Sequence, residues 1–358
     1  MMKVLFWVPY PKAESPSQRF RFEQYLPLLS QKNIHYHLSP FWDERSWHIL
    51  YKSGKTFQKL LGFTRGIFRR LGSVFTLGSY DYIFIHREAM PLGPPLFEWI
   101  AHVSGKKIIY DFDDAIWLPN TSAENKIAAW LKWHGKVKSI CRWSYKVSCG
   151  NEYLCAFAGT YNSNVVLNPT TIDTDHLHNP ALYPAGKHDR ITIGWTGTHS
   201  TIKYLEFLEP IIRSLESKFP NRLRFLVIAN KKPELKLQSL EFIPWNKVSE
   251  IPDLLKLDIG VMPLTDDIWA KGKCGFKALQ YMALEVPCVI SPVGVNTKIV
   301  EPGVTGFLAS SEAEWTQRLE VLMSDQPLRE SMGKKGREKI ESEFSVKSNT
   351  ENFLQLFS

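Results

Sequence analysis

The chain has 358 residues, of which 44% are hydrophobic and 22% charged, and a net charge of +8. That length suits two domains of ordinary size, the composition is that of a soluble globular protein, and no run approaches the roughly 20 apolar residues of a bilayer span. Five cysteines (Cys141, Cys149, Cys155, Cys274 and Cys288) are an odd number without a C-x-x-C pair, which argues against a disulfide framework and structural zinc and for reduced thiols at a cytoplasmic address.

The opening MMKVLFWVPYPK has too short an apolar run, and no small-residue cleavage site, to read as a signal peptide. Charge is unevenly placed. Residues 1–185 hold 21 Lys and Arg against 14 Asp and Glu, whereas residues 186–358 hold 23 against 22. Residues 45–80 contain seven basic residues and no acid. The first half therefore favours an anionic partner: a phospholipid surface, a pyrophosphate-linked acceptor or nucleic acid. The basic segment has no recognisable nucleic-acid-binding motif, so nucleic acid is set aside.

In chain order, strands are predicted at Val4–Val8, Asn33–Leu38, Tyr82–His86, Lys107–Asp111, Lys146–Cys149 and Val165–Leu167, with helices over Gln18–Ser30, Pro95–Val103 and Ala123–Trp143. After residue 190 strands are predicted at Ile191–Thr196, Leu223–Ile228, Glu241–Ile243, Asp258–Met262, Cys288–Ile290 and Gly306–Leu308. The helices between them are Thr201–Lys218, Ser249–Leu255, Phe276–Leu284 and Glu312–Met323. This alternation implies an α/β protein of two Rossmann-like, doubly wound parallel sheets. The Pro-, Asn-, Asp- and His-rich segment 168–190 is the natural link, giving domains 1–170 and 191–343 around a linker at 171–190, with a ligand cleft expected between them.

One helix, residues 55–72, carries Phe57, Leu60, Leu61, Ile67, Phe68 and Leu71 on one face, with Lys59, Arg65, Arg69 and Arg70 on the flanks and opposite side. Two readings stand. It is either an amphipathic helix packed on its own domain or an in-plane helix at an anionic membrane surface, which would add a peripheral membrane location to the cytoplasmic one.

Several segments carry chemistry. In SPSQRFRFEQYLPLL (15–29), Ser15 or Ser17 can cap a helix. Arg19 and Arg21 in its first turns oppose the helix dipole; they read first as a surface pair and second as an anion contact on the acceptor side. His86 and Arg87 end the Tyr82–His86 strand at the ligand side. In YDFDDAIW (110–117), Asp111 ends a strand and Asp113 and Asp114 follow. Clustered carboxylates raise one another's pKa, and the group reads as a D-x-D metal site, as a general base or charge stabiliser, or as helix capping.

The segment IGWTGTHS (193–200), with Thr196, Gly197 and Thr198, lets backbone approach a ligand, and Lys203 lies within reach. KGKCGFKALQYMALEVPCVISP (271–292) brings Lys271, Lys273 and Lys277 and two glycines, Gly272 and Gly275, to the start of a helix. Free N–H groups, the helix dipole and mobile cations there suit a phosphate or diphosphate. Two convergent anion sites in one domain suit a nucleoside diphosphate.

The segments DIGVMPL, GFKALQYMALEVPCVISPVG, VEPGVTGFLASSEAEW and LRESMGKKGREKIESEFS together resemble the family 4 retaining glycosyltransferases of GT-B fold, and the likeness extends over nearly the whole chain. The resemblance implies a nucleotide held mainly by the C-terminal domain, transfer with retention, no metal or other cofactor, and a last helix at 344–358 returning to the N-terminal domain. UDP- or GDP-sugar donors are implied, with a glycan or lipid-linked envelope acceptor. By position, Lys203 and Lys277 match groups at the donor diphosphate. Gln280 takes the place of a ribose-binding glutamate, and Asp113 falls near the transferred sugar with Asp114 beside it. Pro244–Trp245 matches the loop beside the base, and Lys273, Gly275 and Phe276 belong to the phosphate loop. The chain departs from the family at Gly272 and Gln280, where paired glutamates are usual, at Gly197 in place of an arginine, and at Pro9-Tyr10-Pro11 in place of a glycine-rich loop. Gly272 and Gln280 suggest one rival, a non-catalytic sugar-nucleotide-binding protein; a second is a GT-B-like sugar-nucleotide epimerase.

Overall fold

The computed structural model describes residues 1–50, 52, 54–119, 132–184 and 189–358. The chain divides into two compact units, one of Met1–Thr170, Gly272–Cys274 and Thr350–Ser358, the other of Thr171–Lys271 and Gly275–Asn349. The described part of 171–190 and residues 344–349 thus count with the second unit, and residues 350–358 with the first.

The first unit is built on a parallel sheet of β1 (Lys3–Val8), β2 (His35–Pro40), β3 (Tyr82–His86), β4 (Lys107–Phe112), β5 (Lys146–Cys149) and β6 (Val165–Leu167), in the order β2-β1-β3-β4-β5-β6. Its central strands are apolar runs covered on both faces; Val4–Val8 and Ile83–Ile85 are wholly buried. From β1 the chain winds outward to β2, then crosses back to β3, so winding reverses between β1 and β3. Ligands of such sheets bind at the carboxyl ends of the strands at this reversal. The C-terminal Thr350–Leu354 helix closes this unit: Phe353 stacks on Tyr25 with ring centroids 4.3 Å apart.

The second unit has β7 (Ile191–Gly197), β8 (Leu223–Ala229), β9 (Leu240–Pro244), β10 (Ile259–Met262), β11 (Cys288–Ile290) and β12 (Gly306–Leu308), all parallel in the order β12-β11-β10-β7-β8-β9. Here winding reverses between β7 and β10. Trp195, Phe225, Val227, Val261, Val289 and Trp315 are at the heart of its core.

Both sheets agree with the predicted α/β class, and the helices differ from expectation at prolines. Gln18–Ser30 is not one helix but Pro16–Arg19, a 3-10 turn Glu23–Tyr25 and Leu26–Gln31. Thr201–Lys218 divides into a 3-10 segment Ile202–Leu208 and a helix Glu209–Lys218. Pro27 and Pro210 sit in the first turn of the second piece in each case, where a missing N–H costs nothing; inside a continuous helix it would break the ladder. β2 starts two residues late because Asn33 turns at φ 57°. Of the predicted Ala123–Trp143 helix, residues 123–131 lie outside the described residues and Lys136–Trp143 is helical.

The Thr56–Val74 helix is inside out by the usual rule. Phe57, Leu60, Leu61, Phe68 and Leu71 are 39–77% exposed, and Phe75 beyond them 88%. Packing through the apolar face therefore does not occur. The inward face is Gly62, Gly66 and Arg70. A Cβ on Gly66 would stand 2.6 Å from the Phe41 ring, so glycine is what lets the helix lie this close. Arg70, wholly buried, donates to Ala89 O (2.7 Å), Ser39 O (2.7 Å), Ser39 Oγ (2.9 Å) and Val8 O (2.8 Å). Burial pushes its pKa down to about 9, still charged at neutral pH. Among the described residues no helix is long and apolar enough to cross a membrane.

Candidate active site

In the second unit the loops that follow β7 and β10 flank the winding reversal. β7 ends in Trp195, Thr196 and Gly197. Thr196 N donates to Tyr281 Oη at 3.1 Å, tying the strand end to the helix Phe276–Ala283. Gly197 has no room for a side chain: a Cβ would meet the Trp195 ring at 2.3 Å. Thr198 is exposed, its N donates to Thr201 Oγ1 at 3.2 Å, and its hydroxyl is 2.9 Å from Ser200 Oγ. Lys203 is exposed, 5.3 Å from the Tyr204 ring. Burial would raise the Asp267 carboxyl, but hydrogen bonds from Thr265 and Ala270, with the Lys203 charge, hold it below its ordinary value. Lys203 is thus tied electrostatically to the loop after β10.

The helix Phe276–Ala283 opens on Gly275, at φ 68° and with a would-be Cβ 2.1 Å from Ile299, so this cap position admits only glycine. Phe276 is half-buried. Lys277, in the first turn, holds its ammonium 5.4 Å from the Trp195 ring centroid. Gly197 and Lys277 therefore lie against one indole. Gln280 is 2% exposed, with Nε2 3.2 Å from His178 Nε2 and 3.5 Å from Glu250 Oε1. Pro244 and Trp245 end β9, the sheet edge, two strands and roughly 10 Å from β7. They do not join the Trp195 cluster.

Gly272, Lys273 and Cys274 belong to the first unit. Asn151 Nδ2 donates to Gly272 O (3.1 Å) and Lys273 O (3.0 Å), and Cys274 Sγ to Asp113 O (3.1 Å). Gly272 is closed to any side chain, since a Cβ would lie 2.8 Å from Ala115 N.

In the first unit, strand register builds the rest. His86, Asp111 and Ser148 are partners across β3, β4 and β5. Arg21 is buried, not half of a surface pair, and its guanidinium binds Asp111, Asn168 O and Ser148 Oγ. Burial acts to raise the Asp111 carboxyl; the Arg21 charge and the His86 hydrogen bond prevail and hold it well below the carboxylate range. Arg19 lies 4.8 Å over Phe20. His86, expected at the open ligand side, is wholly buried. Arg87, at φ 59°, turns back over the next loop and pairs with both Asp113 (2.8 Å) and Asp114.

The clustered acids do not simply raise one another. Burial favours the neutral form of both, yet the Arg87 charge, with Arg21 behind it, brings Asp113 below its ordinary value. Asp114 rises because burial, with Asp113 beside it, outweighs Arg87. Sequence reading missed Trp195 and Tyr281 as the frame of the loops and Asn151 as the clamp on 272–273. Their only local signals are an aromatic between two loop glycines, an aromatic inside a helix, and an Asn at a helix start.

Two doubly wound parallel units, with paired loops at a winding reversal in the second, define a protein of the GT-B fold. Residues 190–325 match the family described as glycosyl transferases group 1, so the second unit carries a glycosyltransferase domain and the protein is an enzyme of that class. Solved structures of the same fold include sucrose-phosphate synthase from Thermosynechococcus elongatus (14% identity, 100% of this chain and 98% of that one, TM-score 0.66). A glycosyltransferase from Rickettsia africae is also similar (12%, 99% and 97%, 0.65), as is Anabaena HepE in complex with UDP-glucose (14%, 100% and 100%, 0.60). No curated protein sequence matches the chain.

Proposed function

We propose that the enzyme moves a sugar from a UDP- or GDP-sugar to a glycan or lipid-linked envelope acceptor, with retention of configuration and without a metal ion or other cofactor. The observation that carries this reading is Lys277 seated on Trp195 beside Gly197, at the winding reversal of the family-matched unit. Lys277, Lys203 and the backbone N–H groups at the start of the Phe276–Ala283 helix stabilise the departing diphosphate, an electrostatic form of catalysis. Thr196 lies at the end of β7 and Thr198 in the loop that follows. The solved complex of HepE with UDP-glucose supports a uridine donor. The first unit takes the acceptor, with Arg87 keeping Asp113 ionised and holding Asp114 beside it.

The enzyme works at an anionic membrane surface. In support, the outward face of the Thr56–Val74 helix is apolar, Lys52, Lys55 and Arg65 are exposed around it, and residues 45–80 contain no acid. Sedimentation with phosphatidylglycerol vesicles, lost in Phe57→Ser/Phe68→Ser, tests this part.

The donor reading is tested by thermal shift with UDP, GDP, ADP and TDP, each with magnesium and with chelator. A metal-independent rise with UDP or GDP is expected. No rise with any of them overturns the reading.

A further inference from the structure

At the winding reversal of the first sheet, between the ends of β1 and β3, a hydrogen-bonded chain runs outward from the buried Asp111. Asp111 Oδ2 is 2.8 Å from His86 Nδ1, and His86 Nε2 is 3.4 Å from Ser17 Oγ, which is 3.1 Å from Ser15 Oγ. Asp111, His86 and Arg21 are buried, whereas Ser17 and Ser15 are partly open. An ionised carboxylate only accepts, so Nδ1 must carry the proton toward Asp111. In the neutral ring Nε2 is then the acceptor, and the Ser17 hydroxyl donates to it. Arg21 already compensates the Asp111 charge. The carboxylate therefore fixes the direction of the ring. The Phe22 ring, 5.6 Å from the imidazole, packs against it. With its proton committed inward, Ser17 Oγ accepts from Ser15 Oγ (3.1 Å) and keeps one lone pair for a ligand at the end of the sheet, where such sheets receive ligands.

We propose that Ser17 accepts a hydrogen bond from a hydroxyl of a sugar acceptor, and that His86, held by Asp111, is the positioning residue that fixes the Ser17 hydroxyl for this contact. The proposal rests on the reading of the first unit as the acceptor side. The Ser17 hydroxyl holds the incoming hydroxyl's proton in a fixed direction. It does not remove that proton, since its own is committed to His86.

Saturation-transfer NMR on the full chain with methyl α-D-glucopyranoside tests this, alongside the thermal shift with UDP. Ser17→Ala should lose at least four-fifths of the glucoside signal, and Ser17→Thr should keep most of it. His86→Asn, which can still donate to Asp111 but lacks Nε2, should lose at least half, with the UDP shift retained. A full glucoside signal in Ser17→Ala overturns the proposal, as does absence of signal in the wild type while UDP still shifts it. Absence of the UDP shift in the wild type instead overturns the donor reading, and this proposal with it.

Discussion

The ammonium of Lys277 stands 5.4 Å from the ring centroid of Trp195, in the strand that ends at Gly197 with Thr198 in the loop beyond. The indole gives the cation a fixed seat and leaves its N–H donors for an anion. Lys277→Ala should lower turnover and donor affinity together, by about tenfold or more, the worth of a charged hydrogen bond. Trp195→Leu keeps the charge but loosens its seat, so it should raise the donor KM with a smaller effect. Steady-state kinetics with the donor found by thermal shift checks both, and unchanged constants in Lys277→Ala would remove it from the site.

Arg70 bridges β1, β2 and the segment after β3 through Val8, Ser39 and Ala89. Arg70→Met fills the space but takes the guanidinium donors from the buried Ala89 and Ser39 oxygens, while Val8 O keeps Phe41 N, at a cost of about 3 kcal/mol. Arg70→Lys should recover little, since one ammonium cannot reproduce the planar fork. Urea unfolding measures both, and a loss under about 1 kcal/mol in Arg70→Met would refute this account.

Gly66→Ala should destabilise by about 1–3 kcal/mol through overpacking against Phe41, although alanine is the better helix former. Gly72→Ala, with nothing within 4 Å of its Cβ, is the control and should be neutral or stabilising. Melting temperatures that fall equally in the two would show that helix propensity, not the close approach, decides.

The Asp111 carboxyl lies below its ordinary 3.8 in the folded chain. A group with a depressed folded value adds stability that is fully present above its unfolded value and is lost as pH falls toward the folded one. Asp111→Asn strands the Arg21 charge and should cost about 3–5 kcal/mol at neutral pH. The gap to wild type should narrow below about pH 4. Urea midpoints of both proteins from pH 7 to pH 3 check the sign; a gap that widens with acid would refute it.

Most of the fold was legible in the chain. The strands Tyr82–His86, Lys146–Cys149, Val165–Leu167, Cys288–Ile290 and Gly306–Leu308 fall at their predicted bounds; Tyr82–His86 is the clearest case, because a strand buried on both faces declares itself as a continuous apolar run. The prolines at 27 and 210 were equally visible, and their power to divide a helix was underweighted. Of the site, Gly197, Gly275 and Lys277 stood in recognisable loops. The partners of the acids did not: Arg87 pairs with Asp113 and Asp114 across 26 and 27 residues, and no local pattern encodes such a distance.

What the sequence by itself determined is the set of local decisions: alternating strands and helices, two parallel sheets, and glycines where backbone must turn or approach closely. These follow from periodicity and backbone sterics, which act over a few residues. Only the tertiary structure decided which polar groups meet and which apolar face stays outside. His86, Asp111 and Ser148 come together through strand register, Arg21 goes inward to satisfy Asp111, and Phe57 and Phe68 face out because Gly66 and Arg70 fit the space within. Charge compensation and close packing are settled between elements distant in sequence, after the local choices are made.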